Sequence, residues 1–264
     1  IGIEVNDPYN PLGLPSNTMR VRTNDGLPPV NGNYDTATLV KGTTDVYDVY
    51  SQRFDWTDLL MDSTNVVEVL GANTQGTMYK VNNMNSLFNG CTSLTTVLLF
   101  DTSRVTSMNN MFENCTSLTT VPLFDTSRVT MMSSMFRGCT SLTTVPLFNT
   151  SNVKYMSRMF ENCHLLTSVP LFNTSNVENM SGMFAMGNGV NSFTIVPLFD
   201  TSKVTNMRAM LFNCTKVESG ALALYIQAST QTTPPNTHTG TFHRCGIDTE
   251  TGSAELAQIP SDWK

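Results

Sequence analysis

The sequence predicts an α/β repeat protein, a solenoid of 24-residue units with a cap at each end. Three observations indicate this fold class. Four cysteines, Cys91, Cys115, Cys139 and Cys163, lie 24 residues apart. Each follows a Met-Phe or Leu-Phe pair and precedes a Leu-x-x-Val motif. Self-similarity at a fixed period of about 20–50 residues is typical of stacked repeats.

Each unit is predicted to contain a short helical segment followed by a short strand. The apolar residues of 129–139 recur at steps of three and four, which is the spacing of one helix face. Leu142, Val145 and Leu147 then recur at steps of three and two, which favours a strand edge. Because Pro146 has no N–H for a ladder hydrogen bond, this strand should be only about three residues long.

The ends of the chain do not follow the repeat and are predicted to be caps. Trp56, Leu59 and Leu60 would seal the first unit, and a helix over 219–229 with Ser219 as N-cap would cover the last one. Four extra residues between Thr74 and Val81, and three before Phe193, are insertions at bends. The predicted division is a β-rich N-terminal cap at 1–60, with strands at 18–23 and 43–50, a solenoid at 61–217, and a helix and degenerate-repeat cap at 218–264.

The recurring cysteines are best interpreted as small apolar residues that fill the core. Stacked units would place them in one inward row, where parallel side chains are poorly aimed for a disulfide. Some pairing stays an alternative, and zinc a weaker one, because there is no C-x-x-C motif. We therefore predict no metal and no cofactor.

Asp and Asn alternate at one position of the repeat, which indicates an acceptor oxygen rather than a charge. The expected role is an Asx-turn or N-cap, since both use a side-chain oxygen to accept a backbone N–H. A calcium ladder is disfavoured because a run of Asn lowers its charge. The positions are Asp101, Asp125, Asn149, Asn173 and Asp200.

A row of phenylalanines is the candidate binding strip. Strand alternation would point Val145 and Leu147 inward, and Pro146 and Phe148 outward. Exposed rings beside hydroxyl side chains would mark an interaction site on the sheet face. The alternative is that the rings turn back and form a packing spine. The strip consists of Phe100, Phe124, Phe148, Phe172 and Phe199, with Thr96, Thr120, Thr144 and Ser168 beside them.

Composition excludes several classes of partner. Charged residues make up 14% of the 264 residues and the net charge is −6, which argues against nucleic acid. No apolar run is long enough to span a bilayer, so we expect no transmembrane segment. The chain begins at Ile1 rather than Met. We therefore expect an extracellular or cell-surface product from which a leader has been removed.

The unit L-x-x-V-P-L-F-[DN]-T-S-x-V-x-x-M-x-x-M-F-x-x-C closely resembles the BspA-like leucine-rich repeats of gut-bacterial surface proteins, over roughly residues 66–217. The resemblance implies a right-handed leucine-rich-repeat solenoid, secreted or surface-anchored, in a family implicated in adhesion to host or other cells. Gly187 stands where the pattern has Cys, which departs from the family. Fold resemblance does not transfer a ligand.

The expected function is a non-enzymatic, adhesin-like binding module that recognises a protein or glycan on a host or neighbouring cell through its sheet face. One alternative is a purely structural spacer in a surface appendage or tail fibre. A second is a hydrolase in the caps, where Asp45 and Asp48, or Asp58 and Asp62, would act as general acid and base. Nothing in the sequence pairs these carboxylates with a nucleophile, so the hydrolase is the weakest interpretation.

Overall fold

The regular secondary structure lies mainly at the two ends of the chain. The structure, a computed structural model, describes residues 10–53, 55–75, 81–187 and 191–264. Five strands and two helices form there, with a 3₁₀ turn at the C-terminus. They are β1 (Thr18–Thr23), β2 (Thr36–Leu39), β3 (Val46–Tyr50), β4 (Val66–Asn73), β5 (Thr96–Val97), α1 (Ala221–Thr230), α2 (Glu250–Gln258) and the 3₁₀ turn Ser261–Trp263.

The five strands form one mixed sheet in the order β2-β3-β1-β4-β5. The first four are antiparallel neighbours, whereas β4 and β5 are parallel. The prediction of a strand over 18–23 is confirmed, and the one over 43–50 is confirmed for 46–50. Residues 1–9 and Phe54 of the predicted N-terminal cap lie outside the described residues, as do 76–80 and 188–190, on which the predicted insertions between Thr74 and Val81 and before Phe193 fall at least in part.

The repeat units stack in parallel, and isolated β-bridges join each unit to the next. Neighbouring bridges such as Ser107–Met131 and Met131–Tyr155 keep the 24-residue register. The row of bridged residues is Asp55, Asn83, Ser107, Met131, Tyr155, Asn179, Asn206 and Thr237. Backbone hydrogen bonding between units therefore runs along the whole stack.

Each unit is a series of turns, and its described residues form no helix. The N–H groups of Asn110, Phe112 and Asn114 donate to carbonyls of the next unit at 2.7–2.9 Å, while the residues between them close local turns. An α-helix would instead direct each N–H to the carbonyl four residues earlier. Asn110 and Asn114 also have φ 59°, a left-handed conformation that interrupts a right-handed helix.

The predicted α/β leucine-rich-repeat solenoid is therefore wrong. The described part of the chain has one mixed five-stranded sheet and two short helices of 10 and 9 residues, both after residue 220. The apolar spacing of three and four is produced by left-handed turns that alternate local and inter-unit hydrogen bonds. The same spacing fits a helix, and the sequence does not show where the N–H groups bond.

Proline explains why the sheet ends at β5. The Leu98 N–H donates to the Val69 carbonyl at 2.9 Å and extends the pairing of β5 with β4. In the next unit the equivalent residue is Pro122, which has no N–H to donate to Val97. The later units carry Pro146, Pro170 and Pro197 at this position, and no strand forms in the described residues after β5.

Phenylalanine and methionine fill the space between the turns. Phe112, Phe136 and Phe160 stack face to face with ring centroids 5.6–5.7 Å apart and planes within 6°. Buried methionines such as Met132 and Met135 flank the rings. Stacked aromatic pairs contribute beyond the area that they bury. The inward assignment of the Met, Phe and Cys anchors is confirmed.

Both ends of the stack are covered, as the sequence predicts. Trp56, Leu59 and Leu60 are buried against the first unit. At the other end Leu224 of α1 is fully buried, and Tyr225 packs edge-on against Trp263. Helix α1 is not capped by Ser219, however: its N-cap is Gly220 in a left-handed conformation with no side-chain cap.

Candidate binding surface

A tight turn in four of the units reverses the predicted orientation of the leucine and the phenylalanine. The N–H of Phe148 donates to the carbonyl of Pro146 at 3.0 Å, which closes a three-residue γ-turn around Leu147. The same turn recurs at Leu123, Leu171 and Leu198. A γ-turn breaks the two-residue alternation of a strand, so the leucine points to solvent and the phenylalanine that follows it points into the core.

The predicted phenylalanine strip is therefore wrong as an exposed surface. Phe148 is 2% exposed, whereas Leu147 is 60% exposed. The buried rings pack against the central phenylalanine stack, with Phe136 6.2 Å from Phe148. The packing-spine interpretation is confirmed for the whole row, namely Phe100, Phe124, Phe148, Phe172 and Phe199.

The hydroxyl half of the predicted strip is exposed, as expected. Thr96, Thr120, Thr144 and Ser168 all face solvent, and Ile195 occupies the equivalent position in the next unit. Leucines exposed by 39–62% lie three residues further along in the same segments. We call this surface the leucine–threonine face: Leu99, Leu123, Leu147, Leu171 and Leu198 with Thr96, Thr120, Thr144, Ser168 and Ile195.

Two sets of hydrogen bonds hold the segments of the face in register. The carboxylate of Asp125 accepts the N–H of Ser127 at 2.9 Å, so the expected Asx-turn is confirmed there. The same bond forms at the other positions of the Asp/Asn ladder, namely Asp101, Asn149, Asn173 and Asp200. At Asp200 the carboxylate accepts hydrogen bonds from the hydroxyl and the N–H of Ser202, and these two bonds lower its pKa.

The second set is a ladder of buried threonines. The hydroxyl of Thr126 donates to the Asn149 carbonyl of the next unit at 2.9 Å, and that of Thr150 donates to Asn173 at 2.8 Å. These bonds tie the Asx-turn of one unit to the turn of its neighbour. The spacing between successive units of the leucine–threonine face is therefore held by hydrogen bonds from threonine side chains to the backbone beneath it.

The cysteines contribute to packing and to hydrogen bonding in the core. All six thiols are free and buried. The thiol of Cys139 donates to the Phe112 carbonyl of the preceding unit at 3.0 Å, and Cys115 and Cys163 repeat the contact. Burial raises the pKa of Cys91 to about 12 and raises that of Cys139 further. Since the thiolate is the nucleophilic form, these cysteines are unsuited to catalysis.

The acidic pairs considered for general acid and base catalysis have structural roles. Asp48 pairs with Arg20 at 2.7 Å, and Asp45 pairs with Arg22 at 3.2 Å, across adjacent strands. Asp58 and Asp62 occupy left-handed turn positions with φ 57–58°. Among the residues that the structure describes, no three His, Cys, Asp or Glu side chains come together as a metal site.

Comparison with known proteins identifies a family. A family described as "Mycoplasma protein of unknown function, DUF285" matches residues 67–164 and 143–233, which together make up more than half of the chain. The chain belongs to this family. The two overlapping matches cover most of the stacked units and the first helix. No curated protein and no solved structure matches the chain.

Within the described ranges, neither α1 nor α2 is long and apolar enough to cross a bilayer.

Proposed function

We propose that this chain is a non-enzymatic, adhesin-like binding module of the cell surface or the extracellular space. It recognises a protein partner through the leucine–threonine face. The observation that supports this proposal most directly is the column of five leucines, 39–62% exposed, on a repeating, hydrogen-bonded backbone. Contiguous exposed apolar side chains rimmed by polar groups are typical of protein–protein contacts.

The face extends across several stacked units. From Leu99 to Leu198 it crosses five consecutive units, a span of about 19 Å at the separation of hydrogen-bonded chains. The hydroxyls of Thr120 and Thr144 alternate with the leucines and supply hydrogen bonds at the edge. A partner that buries the leucines gains hydrophobic free energy of about 25 cal/mol per Å² of apolar surface.

A protein partner is favoured over a glycan because the leucine–threonine face presents aliphatic rather than aromatic side chains. Sugar rings are commonly bound by stacking on exposed aromatic rings. The phenylalanines of this region, such as Phe124 and Phe148, are buried. Aliphatic side chains are better suited to a protein surface. The repeat resembles those of BspA-like surface proteins, and this resemblance supports an adhesin-like role at the cell surface or in the extracellular space.

The test is a binding screen against purified extracellular proteins and a glycan array. It compares the wild type with the triple variant Leu123→Ser/Leu147→Ser/Leu171→Ser. The matched control is Leu39→Ser/Ile226→Ser/Ile247→Ser, which removes three exposed aliphatic side chains outside the face. We expect a protein that binds the wild type and the control alike and binds the face variant at least about tenfold more weakly, because interface anchors dominate affinity.

Three results would contradict the proposal. They are equal binding of the partner by the face variant and the wild type, no protein bound at all, and binding confined to the glycan array. The first result would exclude the leucine–threonine face as the binding site. The second would favour a structural spacer, and the third would assign a glycan rather than a protein as the partner.

A further inference from the structure

A half-open cavity of about 470 Å³ lies on the turn side of the last full units. Its small side chains are those of Gly182, Ala185 and Ala209, and Arg158 and Arg208 border it. None of these residues belongs to the leucine–threonine face. The volume is within the range of pockets that bind ligands, about 300–1,000 Å³.

The cavity exists because a ladder of charges stops there. Glu113, Arg137 and Glu161 occupy the same position in three successive units. Arg137 pairs with Glu113 at 2.6 Å and with Glu161 at 3.3 Å. The next unit has Ala185 at this position, so the ladder ends and an opening is left. Arg158 closes the ladder from the side, with its Nε 3.6 Å from Glu161.

The two arginines are exceptions to the repeat. At the position of Arg158 the other repeat units have Ser, Asn, Gly or Ala, as at Ser134 and Asn110, and at the position of Arg208 they have Ser or Asn, as at Ser157 and Asn109. Arg208 is exposed and has no ion-pair partner in the part of the chain that the structure describes. Arg158 is 61% exposed at its side chain and shares Glu161 with Arg137.

The backbone sets the separation of the two chain segments that carry these arginines. The Arg158 N–H donates to the Ser181 carbonyl at 2.8 Å, and the Gly182 N–H donates to the Arg208 carbonyl at 2.9 Å. Arg158 and Arg208 therefore belong to units two steps apart, about 10 Å at the spacing of hydrogen-bonded chains. A single carboxylate is too small to reach both.

We propose that this cavity binds an acidic peptide segment, with one carboxylate on Arg158 and a second on Arg208. A peptide in the polyproline II conformation has three residues per turn and advances about 3.1 Å per residue, so carboxylates three residues apart lie on one face at about the separation of the two arginines. The small side chains of Gly182 and Ala185 let the peptide backbone approach closely. Arginine binds carboxylates through paired, charge-assisted hydrogen bonds.

The surroundings favour a peptide over a dense polyanion. Glu161 is one of the residues that line the cavity, and the whole chain carries a net charge of −6. A sulfated polysaccharide or a nucleic acid would bring closely spaced negative charges against these groups. A peptide with neutral residues between its carboxylates places charge only at the two arginines.

The test measures fluorescence anisotropy of a labelled peptide with Glu at every third position among Ser and Gly. The same peptide with Gln in place of Glu is the ligand control. Arg158→Ser/Arg208→Ser removes both cations and introduces a residue that other units carry at both positions. Arg104→Ser/Arg128→Ser removes the same charge from exposed arginines outside the cavity. Ala185→Gln fills the opening without adding charge.

We expect the cavity double variant and Ala185→Gln each to weaken binding by about tenfold or more, since charge-assisted hydrogen bonds are the strong ones. The control double variant should stay within about twofold, because exposed charges away from a site contribute little. Circular dichroism melts of all variants confirm that the fold is kept.

Several results would overturn the inference. They are undetectable binding of the Glu peptide by the wild type, equal binding of the Gln peptide, and equal loss in the two double variants. Binding of heparin more tightly than the Glu peptide would assign the cavity to a polysaccharide instead. The leucine–threonine face is unaltered in all these variants, so failure here leaves the proposed function intact.

Discussion

The neighbouring residues Leu147 and Phe148 provide the sharpest stability test, because strand alternation and the γ-turn predict opposite results for them. The perturbation is alanine at each position in turn. Phe148 is 2% exposed, and its ring lies 6.2 Å from that of Phe136 and 6.4 Å from that of Phe172. Truncating a buried phenylalanine costs about 3–5 kcal/mol. With two ring partners lost as well, we expect Phe148→Ala to fall in the upper part of that range.

Leu147→Ala should cost far less. A fully buried leucine side chain contributes about 1.5–3 kcal/mol, and Leu147, at 60% exposed, has under half of that to lose. We therefore expect a loss of about 0.5–1 kcal/mol. The assay is urea unfolding, in which the midpoint shifts at unchanged slope. Equal costs, or a larger cost for Leu147→Ala, would refute the γ-turn and restore the strand.

Three further predictions concern the thiols, the Asx-turns and the proline. None of the six cysteines should react with Ellman's reagent in the native state, and all six should react in guanidinium; two or more reactive native thiols would contradict the buried assignment. Because burial raises the pKa of these thiols, the free energy of unfolding should fall as pH rises above about 8.5, the pKa of an unfolded cysteine, and Cys139→Ala should make that fall shallower. Asn149→Ala should lower the midpoint by the equivalent of about 1 kcal/mol, whereas Asn149→Asp, the residue at Asp125, should leave it unchanged; matching losses would remove the Asx-turn role. Pro122→Leu should create an N–H that bonds to Val97 as Leu98 bonds to Val69, so its amide should exchange slowly with deuterium, and free exchange would refute the proline account.

The period of the repeat and the identity of the buried residues could be predicted, because both are visible directly in the spacing of residues along the sequence. The 24-residue interval between Cys115 and Cys139 indicates stacked units. Apolar residues such as Met132 and Phe136 indicate which side chains face the interior of the stack. The caps followed from the same reasoning, since an open stack must cover its apolar ends. The Asx-turn was predictable because Asp and Asn share only an acceptor oxygen.

The helical interpretation of the units failed because their hydrogen bonds are not local. Phe112 donates to Met135, which is 23 residues away in sequence, and no local pattern reveals such a bond. The left-handed residues gave a partial signal, since Asn110, Asn114 and Gly138 are types that tolerate positive φ. Serine and arginine occupy the same conformation at Ser134 and Arg158, which weakens that signal.

Only the hydroxyl side chains of the candidate binding surface were predicted correctly, because the turn that reverses the leucine and the phenylalanine was not recognised. Thr120 and Thr144 are exposed as expected, but the aromatic row was assigned to the wrong side. The proline before four of the five leucines of the face was the available signal, because it removes the N–H that a continuing strand would use. The cavity beside Arg158 and Arg208 was missed, although both residues depart from the repeat at positions where other units have uncharged residues.

The most direct test of the central claim, that the stack buries its phenylalanines and exposes a column of leucines, is paramagnetic relaxation of leucine methyl groups by a soluble gadolinium chelate. Methyl signals of Leu123, Leu147 and Leu171 should broaden strongly, while those of Leu118, Leu142 and Leu166 should be protected, because the first set is 58–62% exposed and the second is fully buried. Protection of the first set, with its relaxation equal to that of the second, would contradict the account.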